Sequence, residues 1–197
     1  MRVIGITGGI STGKSTFTQN LRELLPEAKF FDADAMAREL TATDGEVKAE
    51  VRAEFGEAVF TETRELNRGA LRAIVFGEPG KRRALENILH PRVRQRWSSE
   101  AKQPTHPLFF ADIPLLYETA GETLCDAVAV VACSDQIQLM RLRKRTGMAE
   151  EEVRSIIGAQ LPLGEKMRRA DHVVWNNGPR EVLAQQARFL AELWRKP

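Results

Sequence analysis

Cysteine is almost absent: Cys125 and Cys133 are the two in 197 residues, and neither has His or Cys neighbours at metal-ligand spacing. That excludes a disulfide framework and a zinc module, and it suits a reduced compartment. An excess of one charge is lacking too, with Lys+Arg 29 against Asp+Glu 27 for a net charge of +2, and aromatic residues make up only 7%. A protein that coats nucleic acid needs a basic stripe and stacking aromatics, so no nucleic-acid partner is expected. No apolar run approaches the roughly 18 residues that cross a bilayer. Turn-forming glycines already arrive at Gly8 and Gly9, where a secretory leader would need its apolar stretch. The expectation is a cytoplasmic chain with no membrane partner. Also missing are the N-K-x-D guanine motif and the D-x-x-G switch motif, which argues against a GTP-driven switch.

What is present is an alternation of short apolar runs with longer segments of helical period, the pattern of a parallel α/β sheet. Strands are predicted at Val3 to Thr7, Lys29 to Phe31, Leu108 to Ile113, Ala127 to Ala132 and His172 to Trp175, all five buried. Asp44 and Ser134 read as helix N-caps, Gly147 as a stop after a basic turn, and Pro179 as a first helical residue. With 197 residues and 43% hydrophobic content, the chain can bury one core with an appendage but is short for two independent domains. Residues 41–101 break the alternation with mostly helical pattern, placing Val47, Val51 and Phe55 on one face and Leu85, Ile88 and Leu89 on another. Residues 136–165 form an arginine-dense helix-turn-helix, interrupted at Thr146-Gly147 and closed by Pro162, suited to a mobile cover. The expected organisation is one domain over 1–197: a core of 1–40, 102–135 and 166–197, a helical insertion at 41–101 and a lid at 136–165.

Gly8-Gly9-Ile10-Ser11-Thr12-Gly13-Lys14-Ser15 satisfies G-x-x-x-x-G-K-[ST] between a predicted strand and a predicted helix. Glycines let the backbone wrap closely so that successive N–H groups face phosphates, and the helix opening near Lys14 adds its positive end. Lys14 is expected to reach the β- and γ-phosphates, the Ser15 hydroxyl to ligate magnesium, and Thr16 to meet the α-phosphate. The predicted ligand is ATP or another triphosphate with Mg2+, held by Gly9, Ile10, Ser11, Thr12, Gly13, Lys14, Ser15 and Thr16. The predicted chemistry is phosphoryl transfer to a small molecule.

Other candidates lie where strands end, the edge at which open α/β sheets bind ligands. Asp32 and Asp34 would point the same way if the strand ran through both; one of them can orient or deprotonate an attacking hydroxyl, or Asp34 can cap a helix beginning at Ala35. Asp112 can serve magnesium as a Walker B carboxylate or stabilise a turn before Pro114-Leu115-Leu116-Tyr117-Glu118. Arg141 and Arg145 stand four apart on one helix face, either to close on a triphosphate or as a solvated basic face. Lys81, Arg82, Arg83, Arg92, Arg94 and Arg96 can hold an anionic acceptor or simply face solvent. His90 precedes Pro91, where the chain is expected to bend, and Asn176-Asn177-Gly178 reads as a turn whose amide can meet adenine.

In this order the motifs resemble the dephospho-coenzyme A kinase family: TGGISTGKST at 7–16, FDAD at 31–34, HPRV at 90–93 and DIPLLYE at 112–118. The run from Arg141 to Met148, Gln160-Leu161-Pro162, Lys166, Ala170-Asp171 and Asn176-Asn177-Gly178 continues the likeness nearly end to end. The resemblance implies a P-loop three-layer fold and ATP-dependent phosphorylation of the ribose 3′-hydroxyl of dephospho-CoA, by a monomer or weak homo-oligomer. It makes Asp34 the candidate base and Arg145 the lid arginine directed at the phosphates. By the same likeness the inserted helices with His90, together with Leu115, receive the acceptor. Departures stand out: Ser11 and Thr12 where the family usually has Gly and Ser, Arg92 for Leu, Tyr117 for Phe, and Thr146 for Asp.

Overall fold

A run such as Val3-Ile4-Gly5-Ile6 has no polar face to offer water, so it belongs in the middle of a sheet. In the computed structural model, which describes residues 2–103 and 106–196, it forms β1 (Arg2–Gly8). Met1, Pro104, Thr105 and Pro197 fall within the expected core spans and lie outside the described residues. β1 is flanked in parallel by β3 (Leu108–Asp112) and β4 (Ala127–Ala132), with Ile6 facing Asp112 on one side and Ala129 on the other. β2 (Lys29–Asp32) and β5 (His172–Trp175) complete the order β2-β3-β1-β4-β5. After β1 the chain turns toward β2, whereas after β3 it crosses to β4, so a topological switch point lies beside the end of β1.

Contacts gather the residues into two compact units, Met1–Phe31 with Ala101–Pro197, and Asp32–Glu100. In the first, α1 (Lys14–Leu24) and α9 (Arg180–Arg195) cover one sheet face. Phe17, Leu21, Leu183, Leu190 and Trp194 pack there on Ile4, Ile6, Phe110, Val131 and Val174. Each of these large side chains, removed from water, contributes roughly 1.5–3 kcal/mol. Phe30 stacks on Phe110 at 4.7 Å and carries Arg22 on its ring at 4.6 Å. Three further helices follow β4: α6 (Asp135–Thr146), α7 (Glu150–Gly158) and α8 (Leu163–Arg168), the last packed on β4. The result is a three-layer α/β fold around a five-stranded parallel sheet.

The second unit is helical: α2 (Ala33–Thr43), α3 (Gly45–Phe55), α4 (Arg68–Gly77) and α5 (Pro79–Glu100), with α5 packed against the other three. Val47, Val51 and Phe55 are buried on a single face of α3, as their spacing predicts. Pro91 lies inside α5, which continues as helix past the expected bend, and Arg92 donates from Nη1 to the Ile88 carbonyl at 2.8 Å.

Four local expectations are corrected. β2 and β5 are edge strands, so they are not fully buried; Val173 and Trp175 are each 44% exposed. Gln186 of α9 protects that edge, accepting from the Trp175 N–H and donating to its carbonyl, both at 3.0 Å. Pro179 is the N-cap rather than the first helical residue, whereas Ser134 is the N-cap of α6 as expected, its side chain making no capping hydrogen bond. Asp34 does not cap a helix: α2 begins at Ala33, the cap is Asp32, whose carboxylate accepts from the Ala35 N–H at 2.8 Å, and Asp34 sits in the first turn. The strand therefore stops at Asp32, and the two carboxylates do not share a strand face.

Asp44 does cap α3, its Oδ1 accepting from the N–H groups of Glu46 at 3.0 Å and Val47 at 3.1 Å. Asp44→Ala is expected to cost about 1 kcal/mol in urea unfolding, while Asp44→Asn, which keeps the acceptor, costs a few tenths at most. Equal losses in both would show that charge rather than capping matters there.

Candidate active site

The loop after β1 begins with backbone that only glycine permits. A Cβ on Gly8 would come within 2.4 Å of the Val131 carbonyl oxygen. Gly13 has φ 102, and a Cβ there would lie 2.1 Å from Nδ2 of Asn176. Between them Ser11 adopts φ 61, a left-handed conformation that costs a residue with a side chain about 1–2 kcal/mol. Thr12 is fully buried, and its hydroxyl donates to the Gly9 carbonyl at 2.9 Å rather than facing outward. The Thr12 carbonyl in turn accepts from Nδ2 of Asn176 at 2.8 Å and from Nη1 of Arg141 at 3.4 Å.

α1 opens at Lys14 with Gly13 as its cap, so no side chain occupies the first N–H groups, and no acidic residue lies in the first turn. Ser15 and Thr16 are exposed there. An uncapped helix start with positive dipole and no carboxylate nearby suits an anion. Lys14 ion-pairs with Oδ1 of Asp112, and Thr18 of α1 donates to Oδ2 at 2.9 Å. Asp112, 5% exposed at the end of β3, is thus neither a cap nor a turn stabiliser; it holds the lysine beside the loop.

A second lysine stands close by. Lys166 of α8 is completely buried, yet its ammonium donates to Glu118 Oε1 and the Pro114 carbonyl, both at 2.9 Å, and to the Gly8 carbonyl at 3.4 Å. Burial draws its pKa below the usual lysine value, Glu118 opposes that shift, and the Lys14 charge adds to it. Glu118 also accepts the Leu161 N–H at 2.9 Å, so one carboxylate links the turn after β3 to the segment before α8.

Arg141 reaches the loop, whereas Arg145 is exposed in the last turn of α6 and forms no ion pair among the described residues. Asn177 is exposed and accepts the Ser134 N–H at 2.8 Å, while its neighbour Asn176 is the residue that touches the loop. No hydrogen bond among the described residues connects Leu115, Arg145 or Asn177 to the loop. Thr146 bonds back to the Leu142 carbonyl at 2.8 Å and receives the Met148 N–H at 3.4 Å, closing the end of α6. Asp34 and His90 belong to the helical unit. Within that unit Lys81 pairs with Glu54 at 2.8 Å, Arg82 with Glu86 at 2.9 Å and Arg92 with Glu50 at 2.6 Å. Much of the basic run is therefore compensated.

A model of the dephospho-CoA kinase family matches residues 2–181. The chain belongs to the dephospho-CoA kinase family. It is 47% identical to the dephospho-CoA kinase of Anaeromyxobacter dehalogenans, covering 98% of this chain and 92% of that protein. With the dephospho-CoA kinase of Geobacillus kaustophilus the identity is 41%, covering 97% and 96%. The solved dephospho-CoA kinase from Campylobacter jejuni superposes with a TM-score of 0.69 over 100% of this chain and 98% of its own, at 23% identity, a likeness of fold. Membership makes the chain a kinase that draws its phosphoryl group from ATP and delivers it to a small molecule. No helix among the described residues is long and apolar enough to cross a membrane.

Against the family pattern, sequence reasoning underrated Lys166 and Asn176, and it passed over Gln138 altogether. Only the burial of a lysine and two amides against the loop reveals their part. The departure at Tyr117 also has a structural consequence. Its ring lies under Arg169 at 4.3 Å, but its buried hydroxyl has no hydrogen-bond partner among the described residues. Burial pushes the phenol up to about 12. The folded state therefore holds this proton longer than the unfolded chain, whose phenol titrates near 10.0, and stability is lost as pH rises from about 10 to about 12. Tyr117→Phe is expected to raise unfolding free energy by about 1 kcal/mol at neutral pH and to flatten the alkaline loss. Chemical denaturation across pH checks both; a destabilised Tyr117→Phe would show that the hydroxyl is bonded.

Proposed function

We propose that this kinase transfers the γ-phosphoryl group of ATP to the ribose 3′-hydroxyl of dephospho-CoA, giving coenzyme A and ADP, the final step of coenzyme A synthesis. The observation that carries the reading is the phosphate loop, its lysine and its uncapped helix start, in a chain that matches the dephospho-CoA kinase family over residues 2–181. In this reading the loop from Gly9 to Thr16 receives the triphosphate through the N–H groups that remain once Ile10 donates to Gln160 and Thr12 to the Gly9 carbonyl, and Lys14 neutralises charge that builds on the transferring group. Asp34 orients the acceptor hydroxyl and takes its proton as the oxygen–phosphorus bond forms and the bond to ADP breaks. Arg145 and Arg141 close on the phosphates, Asn177 lies toward the adenine, and His90 and Leu115 receive the acceptor. Support for these roles comes from the family pattern and from residue chemistry.

Ser15 and Asp112 offer a hydroxyl and a carboxylate, hard oxygen donors of the kind Mg2+ takes when phosphates fill the rest of its shell, so the residues fit the ion. Bound there, Mg2+ would neutralise phosphate charge. The same reading has the protein cytoplasmic, acting as a monomer or weak homo-oligomer, with residues 136–165 as the lid and the helical unit as acceptor subdomain.

Lys14→Ala is expected to lower kcat by roughly 10²-fold or more, since it deletes the charge facing the transferred group. Asp34→Asn should lower kcat by a similar factor of roughly 10² while melting temperature and dephospho-CoA affinity stay near the parent. Asp32→Asn is the control, because asparagine caps α2 nearly as well as aspartate. Steady-state kinetics with calorimetric melting decide the matter. A normal kcat in Asp34→Asn with a collapsed one in Asp32→Asn would transfer the role to Asp32.

A further inference from the structure

Two side chains without a role in the reading above grip the phosphate loop at its tip. Ile10 donates its N–H to Oε1 of Gln160 at 3.1 Å, and its carbonyl accepts from Nε2 of Gln138 at 2.9 Å. These bonds fall on the peptide units on either side of the Ile10 Cα, so together they hold its φ and ψ. Both amides come from the arginine-rich segment: Gln138 lies on α6, 3% exposed, and Gln160 stands between α7 and α8. Gly9 makes room for the grip, since a Cβ there would sit 2.6 Å from Nε2 of Gln138.

The next residue explains what such a grip is for. Ser11 holds φ 61 without glycine's freedom, and strained backbone of this kind persists only where its surroundings over-determine it. Its neighbours are both fastened, Ile10 by the two glutamines and the Thr12 carbonyl by Asn176 and Arg141. Ser11 itself contributes no such tie, because its buried hydroxyl has no partner among the described residues.

We propose that Gln138 and Gln160 are positioning residues for phosphoryl transfer, which hold Ile10 so that the strained Ser11 turn keeps its nucleotide-ready form before the triphosphate arrives. The proposal rests on the reading of this loop as the ATP site. Without the clamp the loop spends part of its time with Ser11 relaxed, and apparent affinity for ATP falls by the fraction lost. With Ser11→Gly the left-handed conformation carries no side-chain penalty, so the clamp matters less.

Titration calorimetry of the whole chain with Mg-ATP, and separately with dephospho-CoA, tests this in Gln138→Leu and Gln160→Leu, each alone and combined with Ser11→Gly. Each single glutamine variant is expected to weaken Mg-ATP by roughly five- to tenfold while dephospho-CoA affinity stays within about twofold. Combined with Ser11→Gly, the loss on removing the glutamine should shrink to about twofold, a non-additivity that a purely structural role would not produce. Should the buried Gln138→Leu fail to fold, Gln160→Leu carries the test by itself. Unchanged Mg-ATP affinity in the glutamine variants, or the same loss with and without Ser11→Gly, overturns the clamp. A parent protein that binds dephospho-CoA but no Mg-ATP overturns the nucleotide reading, and the clamp with it.

Discussion

A glycine-rich loop wound this tightly must satisfy its own carbonyls with donors from elsewhere in the fold, and this requirement organises the first unit. The Gly9 carbonyl takes the Thr12 hydroxyl, the Ile10 carbonyl takes Gln138, and the Thr12 carbonyl takes Asn176 and Arg141. Each donor stands where the fold delivers it. Asn176 follows β5, and its own N–H donates to the Ala132 carbonyl at the end of β4 at 2.7 Å, so pairing of those strands sets its height. Asp171 and Asp126 fasten the opposite ends of strands, accepting from Val128 N–H at 2.8 Å and Val3 N–H at 2.7 Å. The sheet is thereby pinned at both ends around the loop.

Charge placement follows the same logic. Two lysines approach the loop, and each has a carboxylate of its own, Asp112 for Lys14 and Glu118 for Lys166. A buried cation without a partner would be strongly destabilising, whereas a paired and hydrogen-bonded one is tolerated and fixes geometry. Lys166 shows the consequence: it joins the end of β1, the turn after β3 and the start of α8 through one ammonium group.

Much of this was legible in the sequence, because its signals are local. Apolar runs bounded by turns gave the five strands within a residue or so, and the glycine-rich motif lay between strand and helix as its mechanism demands. The spacing of Val47, Val51 and Phe55 marked a buried helix face correctly. What escaped depends on partners distant in the chain. That β2 and β5 are edges follows from strand order, which no single run encodes. The exchange of roles between Asp32 and Asp34 turned on a helix starting two residues early, within the ordinary blur of helix ends. Gln138 lies 128 positions from Ile10, and a polar residue in a basic helix gives no sign that it will be buried against a loop.

On this reading the loop delivers phosphate to one particular acceptor. The most direct measurement supplies the protein with Mg-ATP labelled at the γ-phosphate and, in separate reactions, dephospho-CoA, adenosine, AMP and pantothenate, and identifies the labelled product by mass spectrometry. An acceptor role for dephospho-CoA requires label on it alone, as a 3′-phosphomonoester. Turnover with another of these acceptors and none with dephospho-CoA would contradict it.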